Sequence, residues 1–374
     1  MIIKNGYVYD NDSFVYRDLY VTEGLFSTKN EDIETIDASG CYVIPGLTDL
    51  HFHGCMGHDF CEASTESLDT ICQYEASVGV TTICPATMTL PVDQLDKICD
   101  EFMHYKNDNG ALLCGIHLEG PFLSKEKKGA QNPAYLKKAD LSLFQKLQKS
   151  SGNLVKLITV APEFPENMDF IQQVKDEVRI SLGHTTASYE VALRAFQQGA
   201  SHVTHLFNAM PPFHHRDPGV IGAAFDSPDT TVEIICDGIH LHPSMIRTVF
   251  SMFTKERIIL ISDSMEATGM PNGTYSLGGQ EVTVSGNSAT LSDGTLAGSV
   301  TNLMDCVRFL VKQVNIPLTT AIQCAAVNPA KAIGIYDKYG SLDTGKAANF
   351  VLLKENLDLH SVYIRGKKCS NNSL

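Results

Sequence analysis

No apolar run in the 374 residues approaches the roughly 20-residue length that a membrane-spanning helix needs, which excludes a helical membrane protein. Positive charge is scarce. Lys and Arg number 29 against 43 Asp and Glu, a net charge of −14, which argues against a general nucleic-acid or anionic-membrane surface. An anionic substrate would have to be drawn in locally, by a metal or by a few cations. The opening Met1-Ile2-Ile3-Lys4-Asn5-Gly6 lacks the build of a secretory signal. No Cys-x-x-Cys pair occurs among the 11 cysteines, and Cys84, Cys114 and Cys236 stand inside apolar runs. Thiols so placed are buried groups in a reducing compartment, so a cytoplasmic protein is expected. Repeats and low-complexity segments are absent too. What remains is an apolar content of 43%, enough for one large domain or two.

The two chain ends differ from the middle. Residues 1–42 carry short extended runs (2–10, 14–22 and 33–37) broken by Asn, Asp and Gly. From 43 onward strands are expected at 43–50, 79–86, 111–118, 155–160, 178–182, 201–206, 231–236 and 257–262. Helical patterns at 64–78, 92–105, 167–176, 188–198 and 243–253 separate or follow them. Eight strands alternating with helices is the arithmetic of a (β/α)8 barrel of the TIM type. No Gly-x-Gly-x-x-Gly turn follows the first strand, which speaks against a dinucleotide-binding open sheet. A Gly-, Ser- and Thr-rich segment at 272–295 predicts a β-hairpin near the site, and helices are expected at 301–314 and 319–334. The tail returns to strands at 349–353 and 359–365. Residues 1–42 and 341–374 are therefore expected to form a small β-sandwich domain beside a barrel of residues 43–340.

Polar residues collect where the barrel strands end. His51 and His53 follow the first, and i and i+2 in extended chain point to one side, so both imidazoles can reach one point. Glu119 ends the third strand, His184 the fifth, His205 the sixth and Asp263 the eighth, and His240 follows the seventh. The carboxyl ends of barrel strands converge on one mouth. Histidines and carboxylates there form an N/O ligand set suited to zinc, iron or manganese and unlike a thiolate site. His117 and His202 sit inside strands and are taken as packing histidines.

The order His-x-His, acidic ligand, His, His, Asp over eight strands resembles the amidohydrolase superfamily. His117-Leu118-Glu119-Gly120-Pro121-Phe122, Gly183-His184-Thr185, His205-Leu206-Phe207-Asn208-Ala209-Met210, Asp237-Gly238-Ile239-His240 and Ser262-Asp263 resemble the N-acetylglucosamine-6-phosphate deacetylases. That resemblance spans essentially the whole chain. It implies amide hydrolysis of N-acetylglucosamine 6-phosphate to glucosamine 6-phosphate and acetate, in amino-sugar breakdown or recycling. Glu119, His184 and His205 would hold the tighter divalent metal, with zinc first and iron or manganese as alternatives. His51 and His53, with Glu119 and Asp263, would hold a second, so one or two ions per subunit are expected. Asp263 would be the general base and acid. Ala130, Gln131, Asn208, Ala209, His240 and the Leu296-Ala297-Gly298 segment would meet the sugar phosphate, and Arg216 would pair with the phosphate. Some family members have His at the position of Gln131. The family's loop can reach a neighbouring subunit's site, so a homodimer is expected.

Two other readings compete. One is a different metal amidohydrolase, a cyclic-amide hydrolase or a deaminase, against which the surroundings of Glu119 and Asn208-Ala209-Met210 speak. The other is a catalytically inactive barrel kept as a scaffold, which would have lost ligands that this chain keeps.

Overall fold

The computed structural model describes residues 1–28, 34–107 and 109–369. Residues 29–33 and 370–374, assigned above to the small β domain, lie outside the described residues. The two chain ends pair with each other through Cys41–Pro45, which runs antiparallel to Phe350–Lys354 and parallel to Tyr7–Asp10. These belong to a six-stranded sheet; Ile2–Lys4, Leu19–Thr22, Leu25–Ser27 and Thr35–Asp37 form a four-stranded one. The two sheets meet where the rings of Phe26 and Phe350 lie 6.1 Å apart, giving a small β-sandwich.

The strand expected over 43–50 is two strands, Cys41–Pro45 and Leu47–Asp49, with Gly46 between them. Val43 pairs with Val8 and Leu352 of the sandwich, whereas Leu47–Asp49 pairs with Val80–Ile83 of the barrel. A Cβ at Gly46 would lie 2.1 Å from the Thr81 hydroxyl, so only glycine lets the chain cross so close to its neighbour. The Gly46 amide donates to the Asn349 carbonyl in the sandwich, and the Leu47 amide donates to the Gly79 carbonyl beside the barrel.

Eight parallel strands make the barrel: Leu47–Asp49, Val80–Ile83, Ile116–Glu119, Val155–Val160, Arg179–Leu182, His202–Val203, Thr231–Ile235 and Ile258–Ile261. The second continues after a break as Ala86–Thr87, and the third is preceded by Leu112–Leu113, so each pairs on both sides. Closure comes from the last strand to the first. The Asp263 amide donates to the His51 carbonyl at 3.0 Å, and the Asp49 carboxylate accepts from the amides of His51 (3.2 Å) and Ser262 (3.3 Å). The result is a (β/α)8 barrel carrying a β-sandwich built from both chain ends.

Alternation along the strands puts Leu157, Ile235, Ile259 and Ile261 in one buried cluster with Ala332 and Ile333. Farther along the same faces stand Thr159, Ser181 and Thr204, bonded to one another at 2.5–2.8 Å, with His117 on Thr159 at 2.7 Å. Beyond them lie the strand ends and the mouth.

The helices follow the sequence pattern closely. Thr65–Ser77 starts where the Ser64 hydroxyl accepts from the Ser67 amide, and it buries Leu68, Ile71, Cys72 and Ala76. Gly219–Phe225 is a helix outside the expected set, and so is Leu141–Ser150. Asp140 caps it by accepting from the amides of Ser142 and Leu143, and Leu143, Phe144 and Leu147 supply its buried face. The single helix expected over 319–334 is three segments, Leu318–Ile322, a wider π-turn Gln323–Val327, and Asn328–Ala332. Pro329 has no amide hydrogen to donate to residue 325, and the backbone widens ahead of it. The expected hairpin is a three-stranded antiparallel sheet, Gly273–Leu277, Gln280–Ser285 and Ser288–Thr290. The Gln280 side chain donates to the Ala130 carbonyl, tying this sheet to the loop over the mouth.

Candidate active site

Six side chains meet above the polar layer. Glu119 is the centre: its Oε1 lies 3.0 Å from His184 Nε2, 3.2 Å from His205 Nε2 and 3.4 Å from His51 Nε2. Its Oε2 lies 3.4 Å from His53 Nε2. Asp263 Oδ1 faces the same two leading histidines, 3.3 Å from His53 Nε2 and 3.7 Å from His51 Nε2. All six are buried. Three of them hold left-handed backbone, His184 at φ 47°, His205 at φ 27° and Asp263 at φ 50°. Non-glycine residues adopt that region at a cost, and such positions concentrate at functional sites. The turn at His205 also explains why the sixth strand stops at Val203 instead of reaching 206: the Leu206 amide still donates to the adjacent strand, at the Glu233 carbonyl, but out of the register that pairs Val203 with Val232.

The other ring nitrogens decide what the cluster is for. His184 Nδ1 donates to the Lys127 carbonyl at 2.9 Å, and His53 Nδ1 donates to the Ala86 carbonyl at 3.3 Å. His51 Nδ1 donates to the Glu233 carboxylate at 2.9 Å. In the neutral ring an acceptor opposite Nδ1 assigns the proton there and makes Nε2 the nitrogen that offers its lone pair. Those nitrogens point at carboxylate oxygens, and His184 Nε2 also faces His205 Nε2 across 3.0 Å. Lone pairs so arranged repel unless a cation sits among them. Two sets of ligand atoms, Glu119-His184-His205 and His51-His53-Asp263, lie within 4.8 Å inside each set, and the donors suit a divalent ion of the zinc type. A third set, His51-His117-Glu233, is already closed by the direct bond from His51 to Glu233.

In the metal-free site the carboxylates keep a second proton on the rings of His51 and His53, which a bound metal ion would displace from Nε2. Burial pushes the Glu119 carboxyl up, but His51, His184 and His205 outweigh it and hold the group well below the carboxylate range. Burial likewise raises Asp263, and His51, His53 and His205 bring it below its ordinary value. Both are carboxylates at neutral pH. Burial pushes His51 down, but Glu233, Glu119 and Asp263 carry it well above the imidazole range. His240 donates from Nδ1 to Asp237 at 2.7 Å, which turns Nε2 away from Asp237. Burial lowers His240, and Asp237 and Asp263 together carry it above its ordinary value.

These groups floor a cavity of about 450 Å³, within the range of small-molecule sites. His53, Glu119, Ala130, Gln131, His184, His205, Asn208, Ala209, His240, Asp263, Leu296 and Gly298 line it, with Lys125, Lys127 and Lys128 on one side. His51 lies just beneath, fully buried. Ala297 is buried and turned into the small sheet, its amide donating to the Ala289 carbonyl. Gln131 lines the wall, but its amide is committed to protein. Its oxygen accepts from the Thr89 amide at 2.7 Å and its nitrogen donates to Glu119 Oε2 at 2.7 Å. Arg216 is not in the wall of its own chain's cavity. It stands exposed on the loop 211–218, where Phe213 is 47% exposed.

A family model described as the amidohydrolase family matches residues 42–369. The N-acetylglucosamine-6-phosphate deacetylase of Bacillus subtilis (strain 168) is 38% identical over 371 residues, covering 98% of this chain and 93% of its own. The chain belongs to the amidohydrolase family, among its N-acetylglucosamine-6-phosphate deacetylases. Solved structures agree with that placement. The Pasteurella multocida deacetylase superposes with a TM-score of 0.93 at 29% identity, covering 99% of each chain. A mutant of the Mycobacterium smegmatis enzyme in complex with N-acetyl-D-glucosamine-6-phosphate also gives 0.93, at 28% identity and 99% coverage of each chain.

Sequence reasoning missed Glu233, Asp49 and the partner of His240. Glu233 is a fully buried acid in the middle of the strand Thr231–Ile235. A charged residue flanked by Val232 and Ile234 in a strand that must be buried on both faces is the signal that marks it. Asp49 is similar: burial pushes its carboxyl up to about 7. Asp237 was visible as part of a motif, but its contact with His240 needed the turn that follows the strand.

Proposed function

We propose that the chain hydrolyses the N-acetyl group of N-acetylglucosamine 6-phosphate, giving glucosamine 6-phosphate and acetate in amino-sugar breakdown or recycling. The observation that carries this is the convergence of histidine lone pairs on Glu119 and Asp263 at the floor of the cavity, in a chain whose full-length relatives carry that activity in their names. Glu119, His184 and His205 would hold one divalent ion, and His51, His53 and Asp263 a second position that shares Glu119. Zinc suits the donor set first, with iron or manganese as alternatives. An ion held there lowers the pKa of a water molecule and polarises the acyl oxygen.

The chain's own residues do the rest. Asp263, ionised and aimed at the same point, takes the proton of the attacking water and returns it to the amide nitrogen as the C–N bond breaks. His240, oriented by Asp237, presents Nε2 to the sugar or its acyl oxygen. Gln131 acts on the substrate's side of the cavity chiefly by holding Glu119. Asn208, Ala209, Ala130 and the segment 296–298 surround the sugar phosphate, with Ala297 contributing backbone only.

Against a net charge of −14, the phosphate needs nearby cations. Lys125, Lys127 and Lys128 supply them within the chain. Arg216 supplies another from a neighbouring copy, a role that suits its exposed loop, and the working form is a homodimer. The cysteines are all free thiols and mostly buried, which supports a reducing, cytoplasmic setting. The sandwich of residues 1–45 and 341 onward is the second domain, and 46–340 the hydrolase barrel. The test is acetate release from N-acetylglucosamine 6-phosphate with metal content measured on the same sample; protein that carries metal and releases no acetate refutes the reading.

A different amidohydrolase chemistry draws only on the fold. The enamidase superposes with a TM-score of 0.65 at 16% identity.

A further inference from the structure

Beneath the floor of the cavity, Glu233 gathers three N–H groups on two oxygens. Oε2 accepts from His51 Nδ1 at 2.9 Å and from the His205 backbone amide at 3.0 Å. Oε1 accepts from His202 Nε2 at 2.9 Å. The Thr231 hydroxyl lies 2.6 Å from His202 Nδ1 and only a long 3.4 Å from the Ser201 carbonyl. It therefore donates to His202, which places the His202 proton on Nε2, facing Glu233. With three donors on two oxygens, an added carboxyl proton would have to displace one of them. Glu233 is fully buried and contacts neither the cavity nor any substrate position.

We infer that Glu233 is a positioning residue for the metal centre: it fixes the tautomer of His51 and seats the turn at His205, and so forms the His51–His53–Asp263 position. The reason is the shape of its hydrogen bonds. A carboxylate is acceptor-only, so every group around it must present a proton, and a His51 that gives its proton to Glu233 shows a bare Nε2 to the site. Partners of this kind orient metal-binding imidazoles, and losing one weakens metal affinity by about 10- to 100-fold. Glutamine is nearly isosteric but has one acceptor and one donor. In Glu233→Gln the NH2 must face either His51 together with the His205 amide, or His202, and in both cases the negative charge that holds the His51 proton is lost. If it faces His51, that ring takes the Nε2–H tautomer and loses the lone pair the site needs.

This rests on the two-position reading given above. The experiment titrates zinc into chelator-treated full-length native protein and into Glu233→Gln, following bound equivalents and the unfolding temperature of the metal-free forms. The expected result is two equivalents in the native protein. In Glu233→Gln the weaker equivalent should lose about 10- to 100-fold in affinity, the tighter one less, and the metal-free unfolding temperature should stay close to native. A merely structural residue would instead lower that temperature and weaken both positions alike, which overturns the inference. Two native-like equivalents in Glu233→Gln overturn it as well, and leave the two-position reading intact. A single equivalent in the native protein at any zinc concentration removes that reading and the inference with it. If Glu233→Gln does not fold, 15N spectra of histidine-labelled native protein decide. With zinc bound, a His51 proton on Nδ1 supports the assignment, and one on Nε2 refutes it.

Discussion

Replacing Asp263 by Asn is the sharpest test of the catalytic assignment, because the structure makes the substitution nearly silent except in chemistry. Asp263 sits in left-handed backbone at φ 50°, which Asn tolerates better than other residues. Its amide donates to the His51 carbonyl at 3.0 Å and its carbonyl accepts from the Ser299 amide at 2.7 Å, and neither bond involves the side chain. The variant should therefore fold and keep its barrel closure. What it loses is a carboxylate that His51, His53 and His205 keep ionised. Removing a general base costs about 10² to 10⁴ in rate, so kcat should fall at least about 100-fold, or ~2.7 kcal/mol in the barrier. KM should change little, because the sugar phosphate is held by other groups. Acetate release over a range of N-acetylglucosamine 6-phosphate concentrations gives both constants, and metal analysis of the same sample separates chemistry from metal loss. The acidic limb of the native pH–rate profile should disappear with the carboxylate. Turnover within a few-fold of native in metal-replete Asp263→Asn would show that the proton moves through another group.

Three further outcomes follow from the same geometry. His184→Ala and His205→Ala should each strip most of the metal and activity, whereas His51→Ala should affect at most the second position; metal analysis showing the reverse order would relocate the tight site. Arg216→Ala should cost roughly 10- to 100-fold in kcat/KM for the phosphorylated sugar, leaving the unphosphorylated sugar and the metal content nearly unchanged; equal losses on both sugars would assign Arg216 to the fold or the dimer. Metal affinity should rise with pH. Carboxylates hold His51 and His53 above the imidazole range in the metal-free site, so their protons persist at neutral pH and must leave when metal binds. Each displaced proton contributes about a tenfold gain per pH unit until pH passes the raised pKa, and a flat zinc affinity from pH 6 to 8 would contradict these charge states.

The barrel was legible because its strands are buried and its helices amphipathic, two signals that survive in one dimension. The fourth strand was expected at 155–160 and is Val155–Val160, and the helix expected at 92–105 is Val92–His104. Errors gathered where tertiary packing overrides a local pattern. Residues 43–50 read Val-Ile-Pro-Gly-Leu-Thr-Asp-Leu, and reading them as one strand passes over the break that Pro45-Gly46 makes. The marker is Gly46, and its meaning lies in the Thr81 side chain that it passes. The sixth strand was overextended for a related reason: the backbone turns at His205 to aim a ring, a cost that is offset by the Glu233 contacts.

The site was legible in proportion to its nearness to the mouth. Groups at the strand ends come in motifs, because substrate, backbone turn and ligand are all specified within a few residues. Those beneath are specified by contact across the barrel. Glu233 answers to His51, 182 positions away, and to His202 on the adjacent strand. Gln131 shows the same effect in reverse: its motif points to the sugar, while its amide is spent on Glu119 and Thr89. A glutamine there donates to Glu119 with a neutral group and leaves the carboxylate's charge for the ion. A protonated histidine at that position would instead set a positive charge against it. The residue at 131 therefore bears on how strongly Glu119 draws a cation, which ties a cavity-wall position to the metal centre.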